Sequence, residues 1–329
     1  MTLTGTRRMV ACGLLAAAAV RPARAATTTL VLSHHLPTSH IVHRTSERFR
    51  ALVADKTGGQ VVVDIKPNSS LFNLRSGTEA LRLGTTDLHW SDLGTLGNWR
   101  PELGFISLPF IFTGFDHVKK VIYGPAGEQL KADVKSGLGL EVLSFGASGF
   151  RVFLGNKPVR TADDCKGLKL RVPEAPVWIE MARALGANPT PIPADGVYTA
   201  LQTHIVDAME APPDFMADNK LYEIAHNATR TNHIFTEANL MTSVRRMASL
   251  PPDVQTALRD SARQAIEVEM WAENLENQDK AWSILASHTE AISKPDLSTF
   301  QARTKPVSEN FASKYPAAKR YLEGVAAAA

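Results

Sequence analysis

The chain has only two cysteines among its 329 residues, Cys12 and Cys165. Cys12 falls in a segment read below as a removable leader, which excludes an intrachain disulfide and a zinc site built on cysteines. Long apolar runs are missing too: beyond residue 20 nothing approaches the roughly eighteen apolar residues that span a bilayer. Nucleotide-binding glycines are absent, since Gly137-Leu138-Gly139 lacks the third glycine at dinucleotide spacing and no Walker loop occurs. Gly146-Ala147-Ser148-Gly149 is one residue short of the G-x-S-x-G elbow, and no H-E-x-x-H pattern exists. With these absences nothing asks for an enzyme: no catalytic residue and no cofactor is assigned.

What is present begins with an address. Arg7 and Arg8 give a positive start, Met9 to Val20 is a short apolar run, and Ala23-Arg24-Ala25 is an A-x-A-like cleavage site. Residues 1–25 therefore read as a secretory signal peptide, by the Sec route or, from the paired arginines, the twin-arginine route. The expected location is the periplasm. The leader holds Arg7, Arg8, Arg21 and Arg24 and no acid, so removing it takes the net charge from +3 to −1. A near-neutral mature chain offers no electrostatic footprint for nucleic acid.

The remaining 304 residues exceed the size at which one core stops growing, which predicts two domains. Strands are predicted at Leu30–Leu32, Val61–Ile65, Asp87–Trp90, Leu140–Phe145, Arg151–Leu154, Lys169–Val172 and Ile205–Met209. Between them come helices over about Ser39–Lys56, Glu79–Leu83, Ala175–Leu185 and Gly196–Thr203, the last capped by Asp195. An amphipathic stretch from about Asp253 to His288 follows. This β-α-β-α order predicts an α/β fold of two lobes facing each other across a cleft.

Two residue groups could carry chemistry. His34, His35, His40 and His43 crowd one segment, but His34 and His35 point to opposite faces of a strand end and no carboxylate nearby completes a ligand set, so no metal is assigned. One of them lining a cleft suits the strand C-terminal ends at which open α/β sheets bind ligands. Arg151 and Arg171 each interrupt an apolar strand, Gly149-Phe150-Arg151-Val152-Phe153-Leu154 and Leu168-Lys169-Leu170-Arg171-Val172-Pro173. A guanidinium there needs an anion. That anion is either an internal acid such as Glu210 or a ligand carboxylate held by the planar fork; the pattern alone leaves both open.

Gly167-Leu168-Lys169-Leu170-Arg171-Val172-Pro173, Ala184-Leu185-Gly186-Ala187-Asn188-Pro189-Thr190-Pro191 and Val197-Tyr198-Thr199-Ala200-Leu201-Gln202-Thr203 resemble a known family. It is the solute-binding subunit of tripartite ATP-independent periplasmic (TRAP) transporters, dicarboxylate-binding (DctP) type. Lys56-Thr57-Gly58-Gly59, Pro101-Glu102-Leu103-Gly104, Leu108-Pro109-Phe110, Gly149-Phe150-Arg151, Asn232-His233 and Leu250-Pro251-Pro252 extend the resemblance along the mature chain. It implies a two-lobed periplasmic binding protein fold with a long lobe-spanning helix and a ligand cleft. The implied partners are a small organic acid and the TRAP integral membrane subunits, and a monomer suits a carrier that must diffuse and dock. The expected lobes are 26–148 with about 236–275, and 149–235, with C-terminal helices from about 276 to 329 packing on both.

By the same resemblance Arg171 pairs with the ligand carboxylate, Arg151 supplies a second contact, and Glu210 is the acid ending Val206-Asp207-Ala208-Met209-Glu210. His35, Asn73 or Leu74, Asp92 and Glu174 fall at further pocket positions. Ala194 and Ala211 stand where many relatives carry an aromatic residue and an asparagine, which points to a bulkier or less polar acid than a C4 dicarboxylate. Trp90, Trp178 and Phe215 then supply apolar walls. The rival readings are an ABC-type or sensor-feeding binding protein of the same build, and a periplasmic organic-acid hydrolase.

Overall fold

The computed structural model describes residues 27–329; the leader read at 1–25 lies outside the described residues. Nine strands form one sheet: β1 (Thr28–Ser33), β2 (Val61–Lys66), β3 (Leu88–Ser91), β4 (Leu140–Gly155), β5 (Lys169–Val172), β6 (Asn188–Pro191), β7 (Ala208–Ala211), β8 (Asn227–Ser243) and β9 (Ala291–Ser293). Their order is β2-β1-β3-β8-β4-β7-β5-β6, with β9 alongside β8. In β2 the period of two is plain, with Val61 and Val63 buried and Val62 45% exposed.

β4 and β8 are antiparallel partners along nearly their whole lengths, 16 and 17 residues. At one end β3 joins β8, from Leu88↔Thr242 to Ser91↔Asn239. At the other β7 joins β4, from Val152↔Ala211 to Gly155↔Ala208. The shared ribbon thus carries one parallel group, β2-β1-β3, at one end and another, β7-β5-β6, at the other. Between these attachments the β4–β8 register shifts at Ala147/Gly149, and it shifts again at Arg151/Phe153 where β7 joins, irregularities that bend and twist a ribbon.

Two strands were expected where β4 is one, with Gly146 and Gly149 falling between them. Both glycines are sites of close approach. A Cβ on Gly146 would lie 2.4 Å from the Ala238 carbonyl oxygen and 2.8 Å from the Met270 sulfur, and one on Gly149 would lie 2.8 Å from the Gln278 amide nitrogen. Met270 and Gln278 belong to the helical run 252–288, assembled from Pro252–Ala262, a wider π-type stretch Arg263–Met270, and Trp271–His288. This run crosses the ribbon. Glu273 accepts from Arg44 Nε at 3.0 Å, on the helix Ile41–Lys56, whereas Asn277 Nδ2 donates to Asp214 Oδ2 at 3.2 Å, on the helix Pro213–Asp218. Trp271 Nε1 and Gln278 Nε2 donate to the carbonyls of Phe145 and Ser148 at 3.0 and 2.7 Å. The long helix therefore binds both sheet halves and the strand between them.

Smaller expectations need correction. Asp195 caps nothing: it lies in the turn Ala194–Gly196, and the helix Val197–Gln202 has no side-chain cap. The strand expected at Ile205–Met209 sits later, at Ala208–Ala211, with Ile205 exposed. The helix placed at Glu79–Leu83 begins at Leu74, after Asn73 and Ser76 form a reciprocal cap. β8 went unread altogether, because Thr229, Thr231, His233, Glu237 and Asn239 give it a loop-like composition although all five are buried. Among the described residues no helix is long and apolar enough to cross a membrane.

Candidate functional site

The cleft where the two sheet halves meet holds about 830 Å³ of empty space, part of it open to solvent. Ten of the twelve residues proposed from sequence line it: His35, Trp90, Asp92, Arg151, Arg171, Glu174, Trp178, Ala194, Ala211 and Phe215. They come together because β1 and β3 end here from one half, β5 and β7 from the other, and β4 passes between them. Such strand ends are where open α/β sheets place ligands. Asn73 is not among the lining residues; its side chain accepts the Ser76 N–H at 2.9 Å as a helix cap, and Leu74 and Arg75 line the cleft instead. Glu210 lies behind the wall.

The two arginines differ. Arg151 is satisfied from within: Nε and Nη2 fork onto the Glu210 carboxylate (Nη2–Oε1 2.8 Å), Nη2 reaches the Glu210 carbonyl at 2.6 Å, and Nη1 donates to Thr236 Oγ1 at 3.1 Å. The internal ion pair, one of the two readings left open by sequence, is the one Arg151 adopts. Burial alone would raise the Glu210 pKa, but the Arg151 charge and hydrogen bonds from His233 and Arg151 outweigh it and hold the acid ionised.

Arg171 has no such acid. Nε and Nη2 both donate to the Ile192 carbonyl, at 2.8 and 2.6 Å, and the guanidinium, 4% exposed, makes no ion pair among the described residues. Burial and then the Arg151 charge press against its charged form, while the more distant Glu210, Glu174 and Asp195 partly offset them. A guanidinium in that position stabilises an incoming anion more than a hydrated one could.

The walls are mixed. Trp90 donates to Ser46 Oγ at 2.8 Å, which fixes its ring, and Trp178 lies under the Arg151 guanidinium at 5.5 Å from its centroid. His35 is held well below the usual imidazole range, by burial first and then by His89, and is neutral. Asp92 caps the short helix Leu93–Leu96, its Oδ1 accepting from Thr95 N at 2.5 Å. The other histidines serve structure: His40 caps the helix at Val42 N (3.2 Å), and His34 accepts from Leu36 N and meets His43 Nδ1 at 3.1 Å. No cluster of metal-ligating side chains is found among the described residues.

Sequence reasoning missed Glu237. It lines the cleft beside Asp92, is 1% exposed, and its pKa is pushed up to about 8, by burial first and then by the Asp92 charge. The signal was available: Ile234-Phe235-Thr236-Glu237-Ala238 is a lone charge in an otherwise strand-like run, the argument that singled out Arg151.

A bilobal α/β molecule with a charged cleft between its halves and a helix strapping both is a solute-binding protein in architecture. The chain matches the family described as bacterial extracellular solute-binding protein, family 7 (DctP), over residues 32–314, and belongs to it. It is 31% identical over 68% of each chain to the 2,3-diketo-L-gulonate-binding periplasmic protein of Escherichia coli. Among solved structures it resembles a TRAP periplasmic solute-binding protein of Haemophilus influenzae with bound L-gulonate, at 27% identity and TM-score 0.88, covering 92% of this chain and 100% of that one. One from Xanthobacter autotrophicus with bound β-D-galacturonate gives 27% identity and TM-score 0.87, covering 91% and 100%. The resemblance read from the three sequence motifs, and the fold it implied, agree with these matches.

Proposed function

We propose that this protein captures a small organic acid in the cleft, holds its carboxylate on Arg171, and delivers it to the membrane subunits of a TRAP transporter. The observation that carries the reading is the contrast between the arginines: Arg151 is neutralised by Glu210, while Arg171 is buried at the cleft with no ion pair among the described residues. Arg151, locked by its partner, contributes hydrogen-bond donors and a shaped wall rather than net charge. The acids bound by the relatives are each carboxylates, which supports the same class here.

The lobes are 26–148 with about 236–275, and 149–235, the C-terminal helices bridging them; closure around the ligand is then a hinge motion of the β4–β8 ribbon. The leader 1–25 directs the chain to the periplasm, where it acts as a monomeric carrier without catalysis. A ligand that contacts both lobes only when they are closed shifts the equilibrium toward closure.

Thermal-shift screening of the purified protein against small organic acids and neutral sugars tests this. A ligand at about a hundred times its Kd should stabilise by about 2.7 kcal/mol. Shifts confined to carboxylates, and lost in Arg171→Ala, are the expected result. Shifts with uncharged sugars alone, or full binding by Arg171→Ala, would remove Arg171 from the role. Recovery of a chemically altered ligand after long incubation would make the protein an enzyme.

A further inference from the structure

The proposal concerns the part of the cleft wall that Asp92 and Glu237 line, and rests on the capture reading above. Glu237 and Asp92 reach this wall from neighbouring chain segments: β3 pairs with β8 at Ser91↔Asn239, and Glu237 Oε1 accepts the backbone N–H of Leu93. The same Oε1 lies 3.4 Å from Asn239 Nδ2. Oε2 is buried and has no partner among the described residues. One oxygen carrying both donors while the other carries none is the pattern of a protonated carboxyl group, with its carbonyl on Oε1 and its hydroxyl on Oε2. Burial pushes Asp92 up as well, but the Thr95 N–H at a helix start and the Arg151 charge oppose that shift and make Asp92 the member that carries the negative charge.

We propose that Glu237 and Asp92 form a pair holding one proton, which selects a hydroxyl group on the ligand and rejects a second carboxylate. Glu237 Oε2–H donates and Asp92 accepts, and a hydroxyl is the small group that does both at one atom. A keto oxygen only accepts, leaving the Asp92 charge unanswered. A second carboxylate only accepts too, and adds repulsion from Asp92. The charged groups around the cleft agree. Glu210 cancels Arg151, Arg171 is unpaired, and Glu174 and Asp92 are acidic, with His35 neutral and Arg75 approaching from the helix start. Arg171 and Arg75 together only balance Glu174 and Asp92, so no net positive charge is left over for a second ligand carboxylate. The substrate class is therefore a hydroxylated monocarboxylic acid.

Burial and the Asp92 charge push Glu237 up to about 8, so its proton, and with it ligand affinity, leaves as pH rises through that value. The test is calorimetric titration of L-gulonate, β-D-galacturonate and succinate into wild type, Glu237→Gln and Asp92→Asn, at about pH 6.5 and about pH 9.5. Wild type should bind a hydroxy monocarboxylate at the lower pH and lose about tenfold or more at the higher. Glu237→Gln, whose amide keeps an acceptor and a donor, should match wild type within a few-fold at the lower pH and lose the pH dependence. Asp92→Asn should weaken the hydroxy acids and narrow their margin over succinate.

An equal pH loss in Glu237→Gln, or succinate bound as tightly as the hydroxy acids, overturns the pair while leaving carboxylate capture intact. Loss of discrimination by Arg171→Ala is a separate matter and judges the capture reading. If wild type binds none of the three, the unliganded proteins decide. Wild type should lose stability relative to Glu237→Gln as pH rises from about 4.5 to about 8, because only its folded state keeps the proton there. Parallel stability curves would overturn the proposal.

Discussion

Gln278 donates its side-chain N–H to the carbonyl of Ser148 at 2.7 Å across the face of Gly149, where a Cβ would lie 2.8 Å from the same nitrogen. The long helix is thus fastened to β4 at the point where the ribbon passes from one half of the sheet to the other. Removing the amide in Gln278→Ala leaves a buried carbonyl without a donor and should cost about 1–3 kcal/mol in urea denaturation. Gly149→Ala should cost more in wild type than in Gln278→Ala, since truncating the glutamine frees the space the methyl needs. Additive costs would mean that the two residues do not share this space.

Arg151→Ala leaves the Glu210 carboxylate buried with only His233 beside it, at 3.3 Å. Breaking a buried pair by removing one member costs about 3–5 kcal/mol. The expected result is a large fall in the denaturation midpoint without ligand. A loss confined to affinity, with stability unchanged, would show that Glu210 finds other compensation.

Arg171→Ala should behave in the opposite way. Its charge is buried without an ion pair, so the unliganded protein should change by less than about 1 kcal/mol or gain stability. Affinity for a carboxylate ligand should fall by about 2–5 kcal/mol, or about thirty-fold to several thousand-fold. Parallel measurement of the melting temperature and Kd in the two arginine variants separates the roles.

The buried histidines predict acid sensitivity. Burial holds His34 at about 3 and His89 at about 4, against 6.5 when unfolded. Below 6.5 the unfolded chain takes up protons that the fold refuses, so stability is complete above that pH and declines as pH falls toward the folded values. Each such histidine contributes a slope of about 1.4 kcal/mol per pH unit. Urea midpoints at about pH 7 and about pH 5.5 should differ clearly, and His89→Gln should reduce the difference. Equal midpoints would refute the assignment of neutral histidines.

Cys165 is buried and burial pushes its thiol up to about 12. Thiol reagents near neutral pH should therefore leave the folded protein unmodified and react only on unfolding. Rapid reaction in the native state would place Cys165 at an opening that the packing does not show.

The parts of the fold legible in sequence were those whose signal is local. The alternation of β2, the amphipathic stretch ending at His288, and the apolar runs broken by Arg151 and Arg171 each declare themselves within a few residues. The cleft was legible where a motif fixed the position, as at Arg171 and Ala211. Of the two positions left open, Asn73 and Leu74, it is Leu74 that lines the cleft; a helix cap and a lining residue are adjacent, and sequence does not show which side chain turns inward. The unity of β4 and the existence of β8 were hidden: glycines required by a crossing helix look like breaks, and buried polar residues look like loop.

By itself the sequence determined the α/β alternation, the lack of a second cysteine beyond residue 25 to pair with Cys165, and the need of two guanidiniums for anions. Only the tertiary structure decided which anion each received. Glu210 lies 59 positions from Arg151, and Leu93, whose N–H fixes Glu237, lies 144 positions from it. Desolvation makes a buried charge depend on whatever stands within a few ångströms. At such separations the folded sheet, not the local pattern, chooses that neighbour.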